Sequence, residues 1–277
     1  MRVLTWEAFT GPALPGQPLW SPWSSSTPQV VYQSGASTEC PLYLGLDRAL
    51  LNRYVQALTR AWRLVGLGPG DRVSLFDFGS SPLVFLASAF YTPYLGRGAA
   101  EHLGCTPICN DGEPTMGSRA LDILRFVNPR VMFIRRDCVP SWLQDVETRA
   151  FPVSTHLSRL VVADDEAVLS ERQRGDLEEK LKLPVVRLLR VDLAFFLAAE
   201  CPDCRAFHTW DDLYRVNILD EETQTPLSFG EVGLLATAPR FGRRRKERPI
   251  YLSRVRARQA SPGCPRGASD LRLEVLS

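Results

Sequence analysis

Val65-Gly66-Leu67-Gly68-Pro69-Gly70-Asp71-Arg72-Val73-Ser74-Leu75-Phe76 reads as the end of a helix, a tight turn and a short strand. Upstream, Leu50, Leu51, Tyr54, Val55, Leu58, Ala61, Trp62 and Val65 recur at the spacing that gathers apolar side chains on one helical face. Asp47 stands where an N-cap takes up an orphan backbone N–H, and Gly66 where a C-cap is expected. Gly68-Pro69-Gly70-Asp71 supplies the turn, and Arg72–Phe76 the strand. A helix handed straight to a buried strand is the repeating step of an α/β fold.

The same grammar continues outward. Leu83–Leu103 reads as a mostly buried helical stretch that Pro93 and Gly96 kink or divide, followed by a strand near Thr106–Cys109. Ser118–Val127 has helical character and stops before Pro129; Val131–Ile134 is a compact buried strand. Strand Arg159–Val162, a charged helix near Ser170–Leu181 and strand Val185–Val191 repeat the pattern. The expected fold class is therefore α/β, a mainly parallel sheet flanked by helices over residues 30–200. Past Cys201 the character changes: Tyr214–Asp220 and Val232–Thr237 flank Glu221–Pro226 as a β-hairpin with a longer loop, giving a small β-rich subdomain over 201–240. Residues 1–29, rich in Pro, Gly and Ser, read as an irregular lead-in. Residues 241–277 are Arg-rich with little apolar periodicity and are expected to be poorly ordered.

The bulk numbers fit this picture. A chain of 277 residues, 45% hydrophobic and 23% charged, has room for one large or two modest domains. With 33 basic against 31 acidic side chains the net charge is +2, so no global field calls for a polyanionic partner. Met1–Glu7 lacks an apolar export segment, and the longest apolar stretch, Pro82–Leu95, is short for a bilayer and broken by Pro93. Seven scattered cysteines fit reduced thiols better than a disulfide framework; the expected location is cytoplasmic.

The chemistry begins at Ser34-Gly35-Ala36-Ser37-Thr38-Glu39-Cys40-Pro41, between the apolar runs Val30–Tyr32 and Leu42–Leu44. Small hydroxyl residues beside a glycine let backbone N–H and side-chain O–H groups converge on one anion, although an ordinary surface turn has the same composition. The order of motifs around it resembles the adenylate-forming ligases, in particular their phenylacetate–CoA ligase and coenzyme F390 synthetase-like branch. Ser34–Pro41 is similar to the S-G-G-S-T-G-x-P phosphate loop of that family, and Val65–Val73 to its GL-x-PGD-x-V turn. Ala99–Ile108 is similar to its GAE-x-LGA-x-x-I element. Glu200-Cys201 through His208 and Asp212, with Asp220–Thr237, resembles EC…H-x-x-ED followed by D-x-ETG-x-P-L-x-x-GE-x-GEL.

The resemblance implies ATP- and Mg²⁺-dependent activation of a small carboxylic acid as acyl-AMP, with transfer to coenzyme A. On that pattern Ser34, Ser37 and Thr38 are the hydroxyl donors to phosphate and Gly35 the close backbone approach. The family's lysine comes from a C-terminal domain that has no counterpart here, which points to another protein supplying it. The sequence also departs from the pattern. Glu39 replaces a loop glycine and sets a carboxylate beside the phosphates. Leu189-Arg190-Val191-Asp192-Leu193 stands where the family has Y-G-x-T-E, with Asp192 one position from the metal-binding glutamate. Ala238–Lys246 replaces the segment that carries a ribose-binding aspartate. A catalytically impaired relative, a binding or scaffold module, is the alternative these departures imply.

Cys201-x-x-Cys204-x-x-x-His208 has the spacing to grip one tetrahedral Zn²⁺, with Cys264 or Cys138 as a fourth ligand; a small buried cysteine and an ordinary strand histidine are the plain alternative. His102 reads as a satisfied core histidine at a packed helix end, and His156 sits in a polar loop. Asp164-Asp165-Glu166 looks like the family's turn at the acyl-binding wall, or a solvated acidic turn. The basic run from Arg243 to Arg258 lacks the aromatic interleaving of single-strand binders, so it reads as a solvated end rather than a nucleic-acid surface.

Overall fold

The computed structural model describes residues 2–10, 19–24, 30–34, 42–92, 95–240, 248–261, 263–266 and 271–276. The chain divides into two compact units, one made of Met1–Ala57, Asp165–Ala167 and Arg190–Ser277, the other of Leu58–Asp164 and Val168–Leu189.

In the second unit the strands lie in the order Val185–Val191, Arg159–Asp165, Val131–Arg135, Arg72–Asp77, Thr106–Asp111. From Arg159–Asp165 to Thr106–Asp111 every neighbouring pair is parallel, with Phe76 opposite both Ile134 and Asn110. Phe76, Leu124, Ile134, Trp142, Leu160 and Val162 join one buried cluster. Helices Gly117–Val127 and Val139–Thr148 contribute to it, joined by Val153 of Val153–His156 and by Leu177 and Leu181 of Glu171–Leu181. Val139–Thr148 has no counterpart in the sequence reading; it opens with Pro140 in its first turn, where a missing N–H costs nothing. The helix–turn–strand unit of the opening stretch is present. Helix Arg48–Leu64 is capped by Asp47, whose carboxylate accepts from the Leu50 N–H at 3.0 Å, and Gly66 takes φ +93° just past its end.

The helical reading of Leu83–Leu103 is corrected. Among the described residues of this stretch, only Pro82–Phe85 and Ala99–Leu103 are helical. The Ala99 and Ala100 N–H groups donate to Leu86 O and Ala87 O, so the intervening chain folds back on itself. Gly98 permits that approach: a Cβ there would lie 2.5 Å from Ser88 N. Glu101 locks it by accepting from the Gly98 and Ala89 N–H groups at 2.7 and 3.1 Å and from the Ser88 hydroxyl.

In the first unit the strands run in the order Tyr214–Leu219, Gly233–Pro239, Ile250–Gln259, Leu271–Leu276, Phe207–Thr209, Phe196–Glu200, with antiparallel neighbours throughout. The hairpin expected across Glu221–Pro226 is there, with Leu219 opposite Leu234. The poorly ordered tail is corrected, since Ile250–Gln259 and Leu271–Leu276 are strands. Along the first of them Arg254 and Arg256 face water while Val255 and Ala257 are buried, a period of two. The irregular lead-in is corrected too. Val3–Leu4 pairs in parallel with Ile250–Tyr251, Trp6–Thr10 is helical, and Trp23 Nε1 donates to Pro249 O at 3.0 Å. A three-stranded sheet, Leu19–Trp20, Leu42–Leu46 and Val30–Ser34, completes the unit. Among the described residues no helix is long and apolar enough to cross a membrane.

Candidate functional site

Strands Val30–Ser34 and Leu42–Leu46 are antiparallel, with Ser34 opposite Leu42. The hydroxyl-rich stretch is therefore the connection of a two-stranded hairpin, and Ser34 closes its first strand. Gly35, Ser37, Thr38 and Glu39 lie outside the described residues.

The Asp164–Glu166 turn is not solvated in the way its composition suggests. Asp164 is ion-paired with Arg136 at 3.1 Å. Asp165 accepts from the Asp192 N–H at 2.8 Å. Burial, and then repulsion from Asp192, drives the Asp165 carboxyl well above the usual carboxylate range, with Arg190 pulling the other way. Glu166, at φ +51°, accepts from Tyr251 Oη at 2.7 Å and from the Arg254 N–H at 3.0 Å; burial still raises its pKa. Burial and the Glu166 carboxylate push the Tyr251 phenol upward, so it stays a donor.

Asp192 opens the turn Asp192–Ala194 and is 2% exposed. Its Oδ1 faces Arg190 Nε at 3.6 Å, a counter-charge where a metal-binding carboxylate needs an open position. Phe195 follows at φ +51°, an unusual conformation for an aromatic residue, with its ring 4.8 Å from that of Tyr54. Asp165, Glu166, Asp192, Arg190 and Tyr251 thus form one node of close carboxyl, guanidinium and phenol groups, of which Arg190, Asp192 and Tyr251 are buried. Sequence reasoning had no means of assembling it.

The sulfur-rich constellation does come together. The ligand atoms of Cys201, Cys204, His208 and Cys264 all lie within 4.8 Å of one another. Cys201 and Cys264 Sγ are 3.6 Å apart, and Cys204 Sγ is 3.4 Å from His208 Nε2. Four ligands on a tetrahedral Zn²⁺ with Zn–S bonds of about 2.3 Å would sit ~3.8 Å apart, so the residues fit that ion. Local structure explains the clustering. Cys201 and Cys204 share a tight turn in which the Arg205 N–H returns to Cys201 O at 2.9 Å, with Arg205 at φ +58°. His208 lies on the strand that follows. Burial pushes the Cys201 thiol up to about 11. Burial acts the same way on Cys264, but hydrogen bonds from the Arg266 N–H and from Cys204 and Cys201 leave its thiol below the ordinary range. Cys138 is elsewhere, its thiol donating to Gly112 O at 3.2 Å.

The other histidines are not brought into a site. His102 is exposed, which corrects its reading as a core histidine, and His156 stacks on the Phe151 ring at 5.0 Å. A groove of about 360 Å³ lined by Asp71, Arg72, Arg130 and His156 opens at the amino ends of the parallel strands. Sheets of this kind bind ligands at the opposite, carboxyl ends.

No family model and no curated protein matches the sequence. Solved structures do match. The 2-hydroxyisobutyryl-CoA ligase in the postadenylation state with 2-HIB-AMP has a TM-score of 0.75 at 15% identity, covering 98% of this chain and 56% of that one. The anthranilate CoA ligase AuaEII with anthranoyl-AMP has a TM-score of 0.59 at 11% identity, over 88% of this chain and 46% of that one. ATP-bound MatB from Rhodopseudomonas palustris has a TM-score of 0.58 at 12% identity, over 88% and 47%. The chain therefore spans about half the length of these ligases. The shared feature is the fold, a mostly parallel sheet flanked by helices, as in the amino-terminal part of adenylate-forming ligases.

Proposed function

We propose that this chain is an adenylate-forming ligase-type protein that binds a nucleotide and activates a small aryl or acyl carboxylate as acyl-AMP. The observation that carries the reading is a ligase fold matched along 98% of the chain, in a relative holding an acyl adenylate. The motif order from Ser34 to Thr237 adds the phenylacetate–CoA ligase-like branch to the proposal. A carboxylate attacking a triphosphate meets mutual repulsion, and fixed donors relieve it. In this reading the hydroxyls of Ser34, Ser37 and Thr38 and the Gly35 backbone hold the phosphates. Mg²⁺, when bound, would neutralise part of the triphosphate charge. Coenzyme A as acceptor, a protein partner bearing the family's lysine, and a reducing cytoplasmic setting belong to the same proposal; unpaired Cys105, Cys109 and Cys138 support the last. Structural zinc on Cys201, Cys204 and His208, with Cys264 as fourth ligand, is part of it as well, and its chemistry would be that of a cross-link.

One observation favours the second reading, a non-catalytic binding module: Asp192, the nearest stand-in for the family's metal carboxylate, is buried against Arg190. Pyrophosphate exchange against a panel of aryl and acyl acids separates the two. Exchange that Ser37→Ala lowers by roughly 100-fold, the scale of losing one stabilising donor, supports the ligase. No exchange, with no nucleotide-induced rise in Tm, supports the binding module.

A further inference from the structure

The four clustered ligands come from two stretches far apart in sequence, 201–208 and the connection that holds Cys264. That connection joins Ile250–Gln259 to Leu271–Leu276, the last strand described. Leu271–Leu276 pairs on both sides: four of its residues, Leu273 to Leu276, lie opposite Gln259 to Arg256, and on the other side His208 is opposite Arg272, Phe207 opposite Leu273 and Thr209 opposite Leu271. Leu273 and Val275 are its buried apolar side chains, while Leu276 is 38% exposed. The ion pairs at its margins, Arg266–Asp203 and Arg258–Glu274, are two-fifths exposed or more on each side chain, so solvent screens them. The seam with Phe207–Thr209 is the shorter of the two, with three opposed pairs, and a pairing that short is held weakly by itself.

We infer that a metal ion on Cys201, Cys204, His208 and Cys264 is the latch that keeps the final strand docked against Phe207–Thr209. The inference rests on the zinc reading above and adds a consequence: metal occupancy decides whether Leu271–Leu276 stays paired with Phe207–Thr209. Binding energy at such a site becomes folding energy for the segments that supply the ligands. Among the described residues, the other three ligands of the cluster all lie in 201–208, so Cys264 completes the site only when the two stretches are docked.

The test uses the full chain, purified under a phosphine reductant so that Cys201 and Cys264 cannot pair as a disulfide. Metal analysis gives the zinc content, and amide exchange is followed before and after chelation and again after adding Zn²⁺. The expected result is one zinc per chain. Its removal should raise exchange in 271–276 and 207–209 by about tenfold or more, reversed by Zn²⁺, with little change in Val131–Arg135. Cys264→Ser should reproduce the chelated state, and Cys138→Ser should retain zinc. Chelation of the unmutated chain keeps the test valid where a variant misfolds. Zinc bound but exchange in 271–276 unmoved by its removal overturns the latch and leaves the zinc reading standing. Absence of zinc overturns both. Pyrophosphate exchange judges the ligase reading independently.

Discussion

Asp165 is a largely shielded carboxyl group with Asp192 for a neighbour. Burial first, and that repulsion second, hold its folded pKa above its unfolded one. Such a group stabilises the fold below its unfolded pKa and loses that contribution as pH rises through the folded value. Thermal unfolding from pH 4 to 8 should therefore contain a declining component that Asp165→Asn removes. An Asp165→Asn curve parallel to the parent would contradict burial as the cause. Gly98 gives a second prediction: Gly98→Ala drives a methyl into the Ser88 backbone and should cost about 1–3 kcal/mol in urea unfolding. Residues acting on close sequence neighbours, such as Asp47, Gly66 and the Cys201–His208 set, could be read from the chain. Asp165, Asp192 and Tyr251 could not, because their chemistry comes from partners 27 and 85 residues away, as in the Asp192–Asp165 and Tyr251–Glu166 hydrogen bonds.

Elements were legible where side-chain period and turn chemistry agreed. Helix Arg48–Leu64 has both an apolar face and a cap, and Asp47→Ala should cost about 1 kcal/mol, seen as a lower urea midpoint at unchanged slope. Two of the misreadings have opposite causes. Leu83–Leu103 is apolar enough for a buried helix, but apolar content does not reveal that Gly98 lets the chain double back on Ser88. Ile250–Gln259 was hidden by arginines at 254, 256 and 258, whose alternation with Val255 and Ala257 is itself the strand signal. Charge was allowed to outweigh period.

At the scale of the molecule, alternation of helices and short apolar strands was enough for the parallel sheet, because that architecture is written in repeated local units. The core beneath it makes a further prediction. Trp142 is fully buried in the cluster around Phe76 and Ile134, so Trp142→Ala should lower unfolding free energy by about 3–5 kcal/mol. Which acid the proposed reaction would take was not legible, since selectivity depends on the shape of a pocket and not on which residue types occur.

The pairing of Val3–Leu4 with Ile250–Tyr251 bears on how the protein is made. A ribosome must polymerise about 250 residues before the earliest strand can meet its mate, and closing so long a loop is entropically slow. Order of synthesis and order of assembly are therefore different, and Val3–Leu4 waits, available to chaperones, until Ile250–Tyr251 has emerged.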